Sequence, residues 1–173
     1  MPASGINYRA FCDPSGGSSD SFTLAVSHRD KDKRVIIDCP RERHPPFSPA
    51  DVVEEFAALV KSYRASRVVG DRYAGEFPRE LFRKHGIDYV PAEQTKSDLF
   101  RDPLPLLNSG AITLPQSDRL VAQLVSLERM VSRAGKDSIS HPVNGHDDLA
   151  NAVAGAASIV SKSTHTTCGL WSR

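Results

Sequence analysis

The sequence has few cysteines, and their spacing is not typical of a metal site or a disulfide framework. Cys12, Cys39 and Cys168 are an odd number, and none forms a CxxC pair. A structural zinc site or a set of disulfides is therefore not expected. This use of cysteine favours a reducing compartment, so we expect a cytoplasmic protein.

The sequence also lacks a long apolar run. No stretch approaches the roughly 18 consecutive apolar residues that a membrane-spanning helix needs. The first five residues, Met-Pro-Ala-Ser-Gly, do not resemble a signal peptide. We therefore expect a soluble protein with no membrane partner.

An excess of charge of one sign is missing as well. Lys and Arg number 22 against 21 Asp and Glu, which gives a formal net charge of +1. Such a chain has no strong overall field to attract nucleic acid, so any contact with DNA must come from a local basic patch. The 173 residues, 39% hydrophobic and 25% charged, are typical of one globular domain. We expect that domain to span residues 1–160, followed by a flexible Ser/Thr-rich tail at 161–173.

The first part of the chain has the pattern of three strands. Residues 8–12 are partly apolar and lead to Asp13, and residues 22–26 and 35–39 are rich in β-branched and aromatic side chains. A turn cluster at 14–19 separates the first two strands, and a charged hairpin loop at 28–34 separates the next two. An antiparallel meander is the predicted arrangement.

The rest of the chain alternates helical and strand patterns. After a proline-rich connection at 40–49, with Ser48 as a helix cap, the pattern predicts helices and strands in turn. The helices are expected at 50–63, 77–85, 97–108, 120–131 and 147–160, and the strands at 67–70 and 87–90. Parallel pairing of the later strands needs crossover helices. The order predicts an α/β protein with a central mixed five-stranded sheet flanked by helices, and it fits the RNase H-like fold.

Aspartates stand where several of these elements begin or end. Asp13 ends the first strand, Asp71 follows the fourth, and Asp147 and Asp148 open the last helix. Carboxylates brought together would repel one another and raise each other's pKa, and a divalent cation would remove that penalty. Hard oxygen ligands select Mg²⁺ or Mn²⁺. Two such ions, about 3.5–4 Å apart, can activate a water and stabilise the leaving oxygen of a phosphodiester.

Each aspartate also has a simpler interpretation. Asp13, before Pro14, could start a turn, and Asp71 could be a turn or ion-pair residue. Asp147 or Asp148 could serve only as the cap of the last helix. Their joint placement at the ends of elements that the fold would bring together favours a shared metal site.

Three segments resemble the acidic motifs of a known nuclease family. These are Phe-Cys-Asp-Pro-Ser-Gly-Gly at 11–17, Val-Val-Gly-Asp at 68–71 and Gly-His-Asp-Asp-Leu-Ala-Asn-Ala at 145–152. They resemble the nuclease domain of the bacteriophage terminase large subunit, a relative of RNase H and Holliday-junction resolvases. Segments 96–100 and 108–115 resemble the family's connecting pattern, and the resemblance spans about residues 8–157.

The resemblance implies a function, a cofactor and a set of partners. It implies a metal-dependent endonuclease that cleaves double-stranded DNA during viral genome packaging in the host cell cytoplasm. Asp13, Asp71, Asp147 and Asp148 would be the catalytic residues and would hold Mg²⁺ or Mn²⁺, in a two-metal site. The implied partners are the terminase ATPase domain, the small terminase subunit and the portal protein. Asn151 departs from the pattern, because related proteins often have a further Asp there.

The ATPase motor of complete terminases has no counterpart in this sequence. The sequence contains no GxxxxGK[ST] phosphate-binding loop. Both an excised domain and a remnant reading frame remain open as explanations.

Further side chains are candidates for supporting roles. His146 could tune the attacking water or could be a polar cap, and Asn151 is a candidate auxiliary residue. Asn151 lies three residues after Asp148 and shares its helix face, so we expect Asp148 to be the principal ligand and Asp147 a cap or outer ligand. A local track for DNA phosphates, or simply a solvated face, could be formed by Arg72, Arg79, Arg83, Lys84, Lys96 and Arg101.

Three alternatives remain open. A Holliday-junction-resolvase-like or transposase-type nuclease would share the architecture, and a resolvase would prefer four-way junctions. Actin-like sugar kinases and ATPases also place Asp and Gly-Gly near a first strand, but they duplicate the fold over a much longer chain. A catalytically silent RNase H-like scaffold in a packaging complex is the third.

Overall fold

A six-stranded mixed sheet forms the centre of the protein. The computed structural model describes residues 2–72, 74–131, 137–142 and 145–162. The strands of the sheet are β1 (Arg9–Asp13), β2 (Phe22–Arg29), β3 (Val35–Arg43), β4 (Arg67–Gly70), β5 (Asp88–Pro91) and β6 (Ile112–Thr113). Two further strands, β7 (Glu128–Val131) and β8 (Asp137–Ser140), pair with each other as a separate antiparallel hairpin.

Six helices lie around the sheet in the part of the chain that the structure describes. They are α1 (Pro49–Ser62), α2 (Phe77–Lys84), α3 (Lys96–Arg101), α4 (Leu104–Asn108), α5 (Asp118–Val125) and α6 (Asp148–Lys162). None of the helices within the described ranges is long and apolar enough to cross a membrane. Helix α6 runs two residues into the predicted tail, and residues 163–173 lie outside the described part.

The strand order is β5-β4-β1-β2-β3-β6. Strands β1, β2 and β3 form the predicted antiparallel meander, β4 and β5 run parallel to β1, and β6 runs parallel to β3. The predicted α/β class with a mixed sheet is confirmed. The two-residue strand β6 extends the expected five strands to six.

The two faces of the sheet carry two apolar layers. Because side chains alternate along a strand, Ala10 and Cys12 of β1 face the layer that contains Phe56 of α1, whereas Phe11 faces the layer that contains α6. The approach of α6 is close. A Cβ atom placed on Gly155 would lie 2.4 Å from Cγ of Phe11, so only glycine fits at that crossing.

Three sequence-based boundaries were wrong. The predicted helix at 120–131 ends at Val125, because residues from Glu128 leave the helix and pair in the β7–β8 hairpin. The predicted connection from residue 40 begins later, because β3 continues to Arg43 as the pairing partner of Phe22. The helix at 97–108 divides into α3 and α4 around Pro103, as proline removes a backbone donor.

Candidate functional site

The ends of β1 and β4 place two predicted carboxylates side by side. The two strands are parallel, with Cys12 opposite Gly70, so Asp13 and Asp71 follow at the same edge of the sheet. The backbone N–H of Asp71 donates to the carbonyl of Cys12 at 3.3 Å, which extends the strand pairing into the site.

The third carboxylate comes from the start of α6. Asp148 and Asp13 line a cleft of about 310 Å³, whose other walls are Lys96 and the loop at residues 14–21. The fold thus brings Asp13, Asp71 and Asp148 to one edge from three separate elements.

The carboxylate of Asp13 accepts a hydrogen bond from a side-chain amide and lies close to other charged side chains. The Nδ2 atom of Asn151 donates to Oδ2 of Asp13 at 2.8 Å. Burial raises the pKa of Asp13 to about 7, the Asn151 hydrogen bond and Lys96 oppose that rise, and the charges of Asp71 and Asp148 add to it. These groups therefore share one electrostatic environment.

Asp71 is positioned through its backbone. The hydroxyl of Tyr89 donates to the carbonyl of Asp71 at 2.9 Å. The Tyr89 ring packs directly over Gly70, where an added Cβ would lie 2.4 Å from the hydroxyl oxygen. Gly70 and Tyr89 together fix the strand end from which the Asp71 side chain projects.

Asp148 is held by hydrogen bonds from the start of β2 and from the residue before that strand. Its Oδ2 atom accepts from the backbone N–H of Ser21 at 3.3 Å, and its backbone carbonyl accepts from the hydroxyl of Thr23 at 2.8 Å. Burial raises the pKa of Asp148; the Ser21 hydrogen bond opposes this, and the charges of Asp20 and Asp147 add to it.

Asp147 has a different environment from Asp148. It is 1% exposed, and its Oδ1 atom accepts from Nζ of Lys96 at 2.7 Å. Its backbone carbonyl accepts from the N–H of Asn151 at 2.7 Å, which places Asp147 at the cap position before α6. Asp147 is thus a buried ion-pair residue at the start of α6, and its expected role as a cap or outer ligand stays a prediction.

Of the predicted basic track, Lys96 reaches the site. Burial lowers the pKa of Lys96, but its hydrogen bond to Asp147 and the charges of Asp147, Asp13 and Asp148 raise it above the ordinary value. A charged ammonium therefore stands beside the carboxylates.

The other predicted basic residues are not among those that line this cleft. Arg72 is exposed beside Asp71. Arg79 pairs with Glu76, and Arg101 pairs with Asp98. Helix α2 connects the parallel strands β4 and β5 and so runs away from the Asp71 edge, which places Arg83 and Lys84 of its last turn towards the opposite edge.

The auxiliary candidates fall in two settings. The ring Nδ1 of His146 lies 4.0 Å from Oδ2 of Asp148, and this side chain is mostly exposed. Asn151 is 1% exposed, and its Oδ1 atom is buried with no hydrogen-bond partner within the described ranges.

The residues at this edge fit a hard divalent cation. Within the described part of the chain, no three His, Cys, Asp or Glu side chains are already drawn together as a closed ligand set. The available donors are nevertheless all oxygens: the carboxylates of Asp13, Asp71 and Asp148, and the unpartnered Oδ1 of Asn151. Burial and mutual repulsion disfavour the charged forms of Asp13 and Asp148, and a cation would offset both effects.

Solved structures of other proteins share this fold, whereas the sequence comparisons find no match. No protein-family model and no curated protein matches the sequence. The large terminase nuclease of thermophilic phage G20c superimposes with a TM-score of 0.77 and 22% identity, over 90% of this chain and 83% of that one. The chain has the fold of a large terminase nuclease.

Two further structures extend this likeness. The HK97 bacteriophage large terminase matches with a TM-score of 0.72 and 16% identity, over 92% of this chain and 40% of that longer protein. The nuclease domain of the SPP1 large terminase, solved with bound Mn, matches with a TM-score of 0.60 and 18% identity, over 87% and 84%. The G20c nuclease has also been solved with bound magnesium.

In this terminase nuclease fold, sequence reasoning missed the residues that support the carboxylates. Tyr89 supports Asp71, Ser21 and Thr23 support Asp148, and Oε1 of Gln123 accepts from the N–H of Ala150 at 2.9 Å to cap α6. None of them carried a local signal, because each contact joins distant parts of the sequence.

Proposed function

We propose that this chain is a metal-dependent endonuclease that cleaves double-stranded DNA as the nuclease part of a phage packaging terminase. The observation that carries the proposal is the meeting of Asp13, Asp71 and Asp148 at one sheet edge, on a fold shared with terminase nucleases. The proposed partners are duplex DNA, the terminase ATPase domain, the small subunit and the portal protein, in the host cytoplasm.

The carboxylates would hold Mg²⁺ or Mn²⁺. When bound, such ions lower the pKa of a water and stabilise the leaving oxygen of the phosphodiester. The three proposed ligands stand at the end of β1, directly after β4 and at the start of α6, and Asn151, which is hydrogen-bonded to Asp13, offers its Oδ1 atom as a further oxygen. The proposed role of Asp147 is to hold Lys96 from behind.

The chain's own residues provide the positioning. Asn151 fixes the carboxylate of Asp13, and the backbone of Ser21 fixes that of Asp148. Lys96 opposes the rise in the pKa of Asp13 and Asp148 and presents a positive charge to a phosphate in the cleft. In the reaction a water oxygen bonds to phosphorus, the bond from phosphorus to one sugar oxygen breaks, and that oxygen takes up a proton.

A plasmid assay tests the proposal. The purified chain is incubated with supercoiled plasmid in Mg²⁺, Mn²⁺ or EDTA, beside Asp13→Asn and the matched exposed variant Asp32→Asn in the β2–β3 turn. We expect nicking and linearisation by the wild type and Asp32→Asn only with metal. We expect Asp13→Asn to reduce activity by about a thousandfold or more, which is the size of the rate loss when one electrostatically stabilising group is removed from an active site.

Three results would contradict it. Cleavage in excess EDTA would exclude a required metal, and an active Asp13→Asn would remove the first ligand. Inactivity of a correctly folded wild type with either metal would favour a silent scaffold. Preference for a four-way junction over linear duplex, measured in the same assay, would instead favour a resolvase-like enzyme.

A further inference from the structure

Strands β1 and β4 repeat one arrangement of charges. Strand β1 reads Arg-Ala-Phe-Cys-Asp from Arg9, and β4 with the next residue reads Arg-Val-Val-Gly-Asp from Arg67. The strands are parallel and in register, with Ala10 opposite Val68, so Arg9 and Arg67 lie opposite each other one step earlier. Each arginine is four residues, or roughly 13 Å, from the aspartate of its own strand.

The two arginines lie at the sheet edge opposite the carboxylates. Residues two and four apart share a face of a strand, so Arg9 stands on the face of Phe11, which packs against α6. At this far end, near Ile159 of α6, a cleft of about 400 Å³ opens between the strand ends and the helix. Arg9, Arg64 and Arg67 all line it.

The charge in this cleft is not balanced by the protein. Nε of Arg67 pairs with Oδ2 of Asp88 on β5 at 3.0 Å. Across the ranges that the structure describes, the guanidinium groups of Arg9 and Arg64 form no hydrogen bond or ion pair, which leaves two cations without acidic partners. Like charges directly opposite on neighbouring strands, about 4.8 Å apart, destabilise a sheet unless an anion lies between them.

The chemistry of the cleft selects a phosphate group. Guanidinium groups bind phosphate through paired hydrogen bonds in a fixed planar geometry. Ser66 and Asn7, both exposed, also line the cleft, and their hydroxyl and amide groups offer uncharged donors. Three arginines exclude a cation, and an uncharged ligand would leave the charges of Arg9 and Arg64 uncompensated.

We propose that the cleft lined by Arg9, Arg64 and Arg67 is a second site, which binds a phosphate group at the sheet edge opposite the carboxylates. The phosphate is that of a DNA backbone or of a free nucleotide, and both present the same oxyanion. The inference does not depend on the nuclease proposal, because it concerns other residues and needs no metal.

The test is an NMR titration of the ¹⁵N-labelled full chain in EDTA at constant ionic strength. The probes are inorganic phosphate, ATP and a short DNA duplex, added separately. We expect saturable shifts of backbone amides around Arg9 and Ser66 with inorganic phosphate. Shifts only at the Asp13 edge, or none at all, would overturn the proposal.

Two double variants distinguish phosphate binding in the cleft from a general effect of positive charge. Arg9→Gln/Arg64→Gln removes the two unpaired guanidinium groups, and Lys31→Gln/Lys33→Gln removes the same charge from the nearby β2–β3 turn. We expect phosphate binding to weaken about tenfold or more for each arginine lost, as for charge-assisted hydrogen bonds, and to change little in the lysine pair. Equal loss in both pairs would mean a diffuse electrostatic effect and would overturn a built site.

The other probes identify the source of the phosphate. If the duplex shifts the cleft amides and displaces inorganic phosphate, the ligand is a DNA backbone; if only ATP does so, it is a nucleotide. If a polyglutamate peptide displaces phosphate equally well, the cleft recognises acidic protein rather than phosphate, and the proposal fails. The same titration on Asp13→Asn should be unchanged, so loss of cleavage and loss of phosphate binding are distinguishable.

Discussion

The side-chain amide of Asn151 donates a 2.8 Å hydrogen bond to Oδ2 of Asp13, which joins the start of α6 to the end of β1. An aspartate at 151 would replace this donor with a second carboxylate. Without metal the two acids would repel each other at a buried position, whereas a divalent cation would bind both.

We therefore expect Asn151→Asp to destabilise the metal-free protein and to increase its stabilisation by metal. Loss of a hydrogen bond to a charged group costs about 2 kcal/mol, which corresponds to a fall in Tm of roughly 4–8 °C for a chain of this size. Thermal melting in EDTA and in Mg²⁺ measures both effects, with Asn108→Asp at the exposed end of α4 as control. Equal melting of wild type and Asn151→Asp in EDTA would show that the amide contact contributes nothing.

Substitutions of the neighbouring acids Asp147 and Asp148 should have different effects, the first on stability and the second on activity. Asp148→Asn alters the cleft and should abolish plasmid cleavage with a small change in Tm. Asp147→Asn weakens the ion pair with Lys96 and should cost about 2 kcal/mol, less than the roughly 3–5 kcal/mol of a fully buried pair because Lys96 is 35% exposed.

The two variants are compared by cleavage rate and by melting without metal. If Asp147→Asn is the more damaging in cleavage while it melts like the wild type, the two roles are reversed. A large loss of stability in Asp148→Asn would instead mean that Asp148 serves mainly to stabilise the fold.

Gly155→Ala should destabilise the protein by about 1–3 kcal/mol. The added methyl would lie 2.4 Å from the Phe11 ring, so α6 must move away from β1. Gly16→Ala is the control, because an added Cβ there meets nothing within 4 Å. Denaturant unfolding of both variants measures the difference, and a Gly155→Ala protein as stable as the control would mean that the crossing has room to relax.

Glu42 should make stability depend on pH. Burial opposes ionisation of Glu42, but hydrogen bonds from Arg119, at 2.6 and 2.7 Å, and from Ser21 lower its pKa below the ordinary value. A lowered carboxyl pKa contributes stability above the pKa of the unfolded chain, and this contribution is lost as pH falls through the folded value.

Glu42→Gln should therefore cost about 1 kcal/mol at pH 7, because Arg119 is 46% exposed and solvent screens the pair. The difference from wild type should shrink as pH falls below 4 in urea unfolding, and Glu54→Gln on the exposed face of α1 serves as control. A difference that stays constant with pH would mean that packing, not charge, is responsible.

Sequence patterns predicted the parts of this site that are local. An apolar strand followed by aspartate already places Asp13 and Asp71 at strand ends, and the helical repeat puts Asn151 one turn after Asp147 and Asp148. The contacts between these elements depend on the order of strands in the sheet. The pairing of Lys96 with Asp147, 51 residues away, leaves no periodic trace in the sequence.

The errors in the fold have a similar origin. Leucines at 120, 124 and 127 and Val131 match a helix, yet the last of them pairs with Asp137 in a hairpin. Apolar spacing over one turn cannot distinguish a helix that continues from a strand that begins. Strand β6 has only two residues, too few for any alternation to be visible.

The contact between Asn151 and Asp13 joins residues that are 138 positions apart in the chain. A ribosome releases the β1 end first and the start of α6 only after nearly all of the described sequence has been made. A growing chain that carries Asp13 and Asp71 but lacks Asp148 has an incomplete set of the ligands proposed for the metal. For the proposed nuclease, the capacity to cut DNA would thus arise late in synthesis, and fragments truncated before α6 should be harmless to the genome of the cell that makes them.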